Sequence, residues 1–276
     1  MTNKIPLVAV IGSPIAHSKS PLLHGTWLKT LGIRGHYIPM DVSAENFVDV
    51  VRMMPKMGFV GANVTIPHKE AALEIADHIS DRASLIGAAN TLTFSETGSI
   101  YADNTDGHGF ITNLSESYPD WDATAGPALV VGAGGASRAI LSALQDQGVP
   151  EIYLSNRTKI RAEQLKNDFG ARVTVVDWAK ISQCLHAVKT LVNTTSLGME
   201  GKAPLVLPLD LLPKDALVTD IVYTPLETPL LAQANTLGLR TVDGLGMLIH
   251  QAVPGFERWF GQKPKVTNEI REMLLQ

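Results

Sequence analysis

The chain has 276 residues, 45% of them hydrophobic and 18% charged, enough to bury a sizeable core and to form two domains. Its formal net charge of -4, with no block of like charge, lacks the basic excess of a nucleic-acid binder, so no nucleic-acid partner is expected. No apolar run reaches the length of a signal-peptide core or a membrane span, the one cysteine (Cys184) excludes an internal disulfide, and no Cys/His ligand pattern appears; a cytoplasmic, metal-independent protein is expected.

Leu7–Gly12 reads as a buried first strand, followed by a loop from Ser13 to Pro21. Pro21 at a helix start, with Ser20 before it as N-cap, opens a helix that Gly32 closes. In an extended segment the hydroxyls of Ser18 and Ser20 point to one side and, at a helix N-terminus, could cradle a carboxylate. On local sequence alone, a plain cap at Ser20 and an exposed Ser18 is the simpler reading. Further strands are predicted at residues 36–40, 59–65 and 89–94, and helices at 44–54 and 67–79, with a shorter helix after the acidic cap Ser80-Asp81. This alternation predicts an α/β domain with a largely parallel sheet.

The run Gly61-Ala62-Asn63-Val64-Thr65-Ile66-Pro67-His68-Lys69 organises that domain. Val64, Thr65 and Ile66 read as a strand end, Pro67 fits a first helical turn, and Lys69 therefore sits at a helix N-terminus. That end of a helix favours anions, so a lysine there is either solvated or placed for chemistry. A lone first-turn lysine is most often surface decoration.

The turn-rich stretch 118–127 marks a domain boundary, and a second domain starts at Ala128. Leu129-Val130-Val131 runs into Gly132-Ala133-Gly134-Gly135-Ala136-Ser137 and then a helix, the order in which backbone N–H groups face a pyrophosphate; Ser137 stands at the usual third glycine. The next strand ends at Asn156-Arg157-Thr158, with Arg161 beyond. Where an NAD site places an acid for the ribose hydroxyls, this chain has arginines, which suit the 2′-phosphate of NADP. More strands are predicted at residues 173–176, 191–194, 217–223 and 241–242. Pro254 should bend or end the helix that follows Gly244-Leu245-Gly246, and a last helix covers residues 266–275.

Taken in order, Ser13 to Pro21, Asn63 to Lys69, Gly87-Ala88-Ala89-Asn90-Thr91-Leu92, Asp103-Asn104-Thr105-Asp106-Gly107, Gly132 to Ala136, Asn156-Arg157-Thr158, Tyr223-Thr224-Pro225-Leu226 and Gly244 to Gln251 resemble the shikimate dehydrogenase family over essentially the whole chain. The resemblance implies a substrate domain (1–104 and 245–276), a Rossmann-like NADP domain (105–244), and C-terminal helices that return to the first domain. It implies that Ser18 and Ser20 hold the substrate carboxylate, that Thr65, Asn90, Asp106, Tyr223 and Gln251 contact the ring hydroxyls or the carboxylate, and that Lys69 with Asp106 form the catalytic pair. On the cofactor side it implies Gly132, Ala133, Gly134, Gly135 and Ala136 at the pyrophosphate, Asn156, Arg157, Thr158 and Arg161 at the adenosine phosphate, and Thr194, Ser196, Ile221, Gly244 and Met247 along the nicotinamide, with Asp81 as a further cofactor-side candidate. The implied reaction is reversible, NADP-dependent reduction of 3-dehydroshikimate to shikimate in aromatic amino acid biosynthesis, by a monomer or homodimer. A quinate/shikimate dehydrogenase with broader substrate or NAD use and a non-catalytic NADP-binding regulator are the competing readings; Arg157 speaks against the NAD half of the first, and the retention of Lys69 and Asp106 against the second.

Overall fold

The computed structural model describes residues 5–276, which divide into two compact units, residues 5–109 with Leu248–Gln276, and Phe110–Met247. The first unit contains β1 (Leu7–Gly12), α1 (Ser20–Thr30), β2 (His36–Asp41), α2 (Phe47–Met53), β3 (Phe59–Val64), α3 (Lys69–Glu74), β4 (His78–Ile79), α4 (Asp81–Ile86), β5 (Thr91–Phe94) and β6 (Ile100–Asp103). Its sheet runs β2-β1-β3-β5-β6-β4 and is mixed: β1 lies parallel to β2 and β3, and β4 to β6, whereas β5 is antiparallel to both neighbours. The reversal follows from chain length, because only five residues join β5 to β6, and a parallel crossover needs about a dozen or more. α5 (Asp106–Ser117) begins in this unit, which it leaves after Gly109.

Several local expectations are corrected here. The helix expected over residues 67–79 is confined to α3, with Pro67 outside it and residues 78–79 in a strand. Asp77 exchanges bonds with Ile100, its amide donating to the Ile100 carbonyl at 2.9 Å and its carboxylate accepting the Ile100 amide at 2.8 Å, so pairing with β6 overrides the apolar periodicity. Ser20 is the first residue of α1 and not its cap; Lys19 has helical angles, so Ser18 and Ser20 do not lie on an extended segment. Ser80 alone caps α4, its hydroxyl accepting the Ala83 amide at 3.2 Å, and Asp81 is the first helical residue.

The second unit contains β7 (Ala128–Val131), α6 (Gly135–Asp146), β8 (Ile152–Ser155), α7 (Lys159–Phe169), β9 (Val173–Val175), β10 (Thr190–Asn193), β11 (Leu217–Asp220), α8 (Pro229–Thr236) and β12 (Arg240–Val242). Its sheet, β12-β11-β10-β7-β8-β9, is parallel throughout, with strand order reversing between β7 and β10. Alternate residues of β7 enter two separate cores. Ala128 and Val130 pack with Phe110, Leu114, Ile140 and Leu154, while Leu129 and Val131 pack with Leu185, Leu191, Val218 and Leu230. A parallel strand buried on both faces tends to a near-continuous apolar run, and β7 is buried and apolar at all its positions.

α9 (Gly244–Phe260) and α10 (Asn268–Leu275) complete the chain, and from Leu248 onward it belongs to the first unit. Pro254 neither ends nor interrupts α9. Ala252, Val253, Phe256 and Trp259 are buried around it, and burying each large side chain contributes about 1.5–3 kcal/mol, together more than the roughly 3 kcal/mol that an interior proline costs. Among the described residues no helix is long and apolar enough to cross a membrane, and no cluster of His, Cys, Asp or Glu could hold a metal ion.

Candidate active site

In the first unit, β3 delivers the chain to α3 through His68, whose imidazole is fully used in packing. Its Nε2 donates to the Val42 carbonyl at 2.7 Å, and its ring stacks on Phe47 with centroids 4.4 Å apart. With His68 immobilised, Lys69 opens α3 and its ammonium forms an ion pair with Asp106, the first residue of α5; the side chains are only 15% and 7% exposed. Partial exclusion of water strengthens the attraction and gives each partner a defined place.

Asp106 is fixed from several directions. Its amide donates to Asn104 Oδ1 at 3.1 Å, and Asn104 in turn donates to the Ala88 carbonyl at 2.9 Å. Asn90 Nδ2 lies 2.8 Å from Asp106 Oδ1 and 3.0 Å from both Thr105 Oγ1 and Gln251 Oε1. The Thr105 hydroxyl donates to the Gln251 carbonyl at 2.8 Å, joining α9 to the start of α5. Lys69, Asn90, Asp106 and Gln251 thus form one polar cluster, buried except for the partly exposed Lys69. Just before it, Asp103 accepts hydrogen bonds from Ser80, Arg82, Arg258 and the Asn104 amide at 2.5–3.1 Å. Burial would push its carboxyl up, but the bonds from Arg82 and Ser80 hold it well below the usual carboxylate range.

Ser18 and Ser20 stand together at the start of α1, the Ser18 hydroxyl accepting the Ser20 amide at 3.3 Å. Ser20 is buried and bonded to Tyr37, whose hydroxyl donates to Asn63 Oδ1 at 2.7 Å; Asn63 Nδ2 donates to the Asn90 carbonyl at 3.1 Å. The serines are therefore connected to the Asn90 cluster through Tyr37 and Asn63, two residues that the motif reading passed over. A buried asparagine inside the apolar strand Phe59–Val64 was the available signal. Thr65 follows β3 half-buried, and Asp81 is exposed at the start of α4, with no polar partner among the described residues.

In the second unit, Gly132 follows β7 at φ +116°, and a Cβ there would come within 2.5 Å of Thr194 Oγ1. Only glycine fits both the angle and the space. A Cβ on exposed Gly134 would meet nothing within 4 Å, so the backbone between Ala133 and Ala136 faces open space at the N-terminus of the twelve-residue α6. First-turn N–H groups lack intrahelical acceptors and suit a phosphate. Ser137, in the third glycine position, is buried: its hydroxyl accepts the Gly134 amide at 3.1 Å and lies 2.6 Å from Thr194 Oγ1. It closes the turn from inside.

Asn156 Nδ2 donates to the Thr158 carbonyl at 2.8 Å, shaping the turn after β8. Arg157 and Arg161 are exposed there and pair with no carboxylate among the described residues, whereas neighbouring Lys159 is held by Asp177 at 2.7 Å. Two free guanidiniums and no acid at this strand end fit the 2′-phosphate of NADP. Thr194 and exposed Ser196 follow β10, and Ile221 and Tyr223 follow β11; burial raises the Tyr223 hydroxyl above its ordinary value. Gly244 abuts this loop, since a Cβ on it would approach Val222 O to 2.7 Å, and buried Met247 completes the set within this unit.

Comparison with known proteins matches residues 10–92 to the shikimate dehydrogenase substrate binding domain, 117–199 to shikimate / quinate 5-dehydrogenase, and 244–274 to the shikimate 5'-dehydrogenase C-terminal domain. Over 273 residues, 99% of both proteins, the chain is 60% identical to a shikimate dehydrogenase (NADP(+)) of Ruegeria sp. (strain TM1040). This chain belongs to the shikimate dehydrogenase family. Among solved structures, it resembles the shikimate 5-dehydrogenase of Thermus thermophilus in complex with NADP(H) and shikimate (37% identity, TM-score 0.87, 98% of each chain). It also resembles the quinate dehydrogenase of Corynebacterium glutamicum in complex with NAD (32% identity, TM-score 0.91, 99% of each chain). Within the family's matched segments fall Ser18, Ser20, Thr65, Lys69, Asp81 and Asn90, then the glycine turn, Asn156 to Arg161, Thr194 and Ser196, and finally Gly244, Met247 and Gln251; Asp106, Ile221 and Tyr223 lie between them.

Proposed function

We propose that this chain is an NADP-dependent shikimate dehydrogenase that reversibly reduces 3-dehydroshikimate to shikimate in the cytoplasm, a step of aromatic amino acid biosynthesis. The observation that carries the reading is the partly buried Lys69–Asp106 pair set among Asn90, Thr105 and Gln251. When bound, NADPH supplies a hydride to the carbonyl carbon. Lys69 donates a proton from its ammonium to the carbonyl oxygen as negative charge develops there, and the resulting amine takes the proton back in the reverse direction. Asp106 holds the ammonium in place and accepts from a ring hydroxyl. Asn90 and Gln251 offer amide groups to the remaining hydroxyls, and Ser18 and Ser20 hold the carboxylate, with Thr65 and Tyr223 as further substrate contacts.

Gly132 to Ala136 take the pyrophosphate, and Asn156, Arg157, Thr158 and Arg161 the adenosine phosphate. Thr194, Ser196, Ile221, Gly244 and Met247 line the nicotinamide side. The test is absorbance at the nicotinamide band with shikimate and with quinate, each against NADP and NAD. Rapid reduction of NADP with shikimate alone is the expected result; comparable rates with quinate or NAD would move the chain to the broader dehydrogenase, and no rate with any pair would refute catalysis.

A further inference from the structure

Asp220 ends β11 fully buried, and among the described residues no lysine, arginine or histidine forms an ion pair with it. Burying a carboxylate without a counter-charge is costly unless its oxygens are well supplied with donors. Here Oδ1 accepts from Asn193 Nδ2 and from the Val222 amide, both at 3.0 Å, and Oδ2 accepts from the Thr228 hydroxyl at 2.8 Å. Each donor belongs to a different piece of the unit. Asn193 ends β10, Val222 lies in the loop after β11, and Thr228 is the N-cap of α8.

Asn193 passes the constraint onward. Its Nδ2 also donates to the Leu197 carbonyl at 3.0 Å, and its Oδ1 accepts from the Thr195 amide and hydroxyl at 3.0 and 2.8 Å, folding residues 194–197 into one turn. Thr194, inside that turn, donates its hydroxyl to the Val131 carbonyl at 2.7 Å. That hydroxyl proton is then committed, so the 2.6 Å contact with Ser137 has Ser137 as donor, and Ser137 in turn accepts the Gly134 amide. Hydrogen bonds, with the Asn193–Thr194 peptide as one covalent link, therefore run from Asp220 across the carboxyl ends of β11, β10 and β7 to the glycine turn. In a doubly wound sheet, ligands bind outside the carboxyl ends of the strands where strand order reverses, here between β7 and β10.

We propose that Asp220 is a positioning residue for the nicotinamide nucleotide: its carboxylate locks the loops after β7, β10 and β11 into the arrangement that binds the cofactor. The inference rests on the reading of this unit as the NADP-binding domain. It is tested on the full chain by calorimetric titration with NADP in the absence of shikimate. Asp220→Ala strands three donors and should weaken NADP binding by about tenfold, or ~1.4 kcal/mol. Asp220→Asn keeps Oδ1 for the two N–H donors and can donate Nδ2 to the Thr228 oxygen, so its affinity should stay within about threefold of the unaltered chain.

Leu185→Ala, in the core of the same unit, controls for simple destabilisation and should lower Tm while leaving NADP affinity unchanged. If Asp220→Ala does not fold, Asn193→Ala cuts the same chain one link further on and is judged by the same criterion. Affinity within twofold of the unaltered chain, or weakened no more than in Leu185→Ala at a matched loss of Tm, overturns the proposal. Failure of the unaltered chain to bind NADP would instead overturn the reading of the domain.

Discussion

Replacing His24 by phenylalanine separates one residue's contribution to acid sensitivity from everything else in the first unit. His24 is fully buried on α1, stacked on Tyr37 with centroids 3.9 Å apart and interplanar angle 4°, and surrounded by Trp27, Phe256 and Trp259. Among the described residues neither ring nitrogen has a hydrogen-bond partner. Burial lowers its pKa from 6.5 to about 3, because the imidazolium would have to be stripped of water in an aromatic nest. The folded-state value lies below the unfolded one, so the unfolded chain binds the proton first as pH falls. Stability is unaffected above about pH 6.5 and declines below it by about 1.4 kcal/mol per pH unit, until the folded-state value is reached.

Between pH 7 and pH 4.5 the linkage amounts to roughly 2.5 kcal/mol. Phenylalanine keeps a flat ring in the nest and has nothing to protonate. Urea unfolding of both proteins at the two pH values, followed through the tryptophans, is the assay. The unaltered chain should lose about 2.5 kcal/mol more than His24→Phe on acidification. An equal loss in both proteins would mean that the imidazole is protonated without penalty, and the account of its burial would be wrong.

Lys69→Ala should lower kcat by about 10²–10⁴-fold, the usual contribution of a placed proton donor, with substrate binding little changed; turnover near that of the unaltered enzyme would remove the lysine from the mechanism. Arg157→Ala removes one charge-assisted contact to the 2′-phosphate, worth about 1.5–3 kcal/mol, and should raise KM for NADP by about 10–100-fold without altering kinetics with NAD. Steady-state kinetics with each cofactor checks this, and a parallel rise for both would refute the phosphate assignment.

The parallel sheet of the second unit was legible because its central strands are buried and largely apolar, and because glycines stand where strand turns to helix. The mixed sheet of the first unit was less so. Nothing local to residues 67–79 reveals that Asp77 pairs with Ile100, so helical periodicity was followed past its true end. Pro254 misled for the same reason: local propensity places a break there, and the burial of Phe256 and Trp259 removes it.

Residue chemistry at fixed spacing was determined by the sequence alone. Lys69 at a helix start, the glycine turn, and Arg157 with no acid beside it follow from strand, turn and helix preferences over a few residues, and those act locally. What brings Lys69 to Asp106, Asn90 to Gln251, and Asp220 to Asn193 and Thr228 was decided only by the tertiary structure. These partners are up to 161 residues apart in the chain, and a buried polar group finds its donor or acceptor only once the sheets have fixed which strand ends lie side by side.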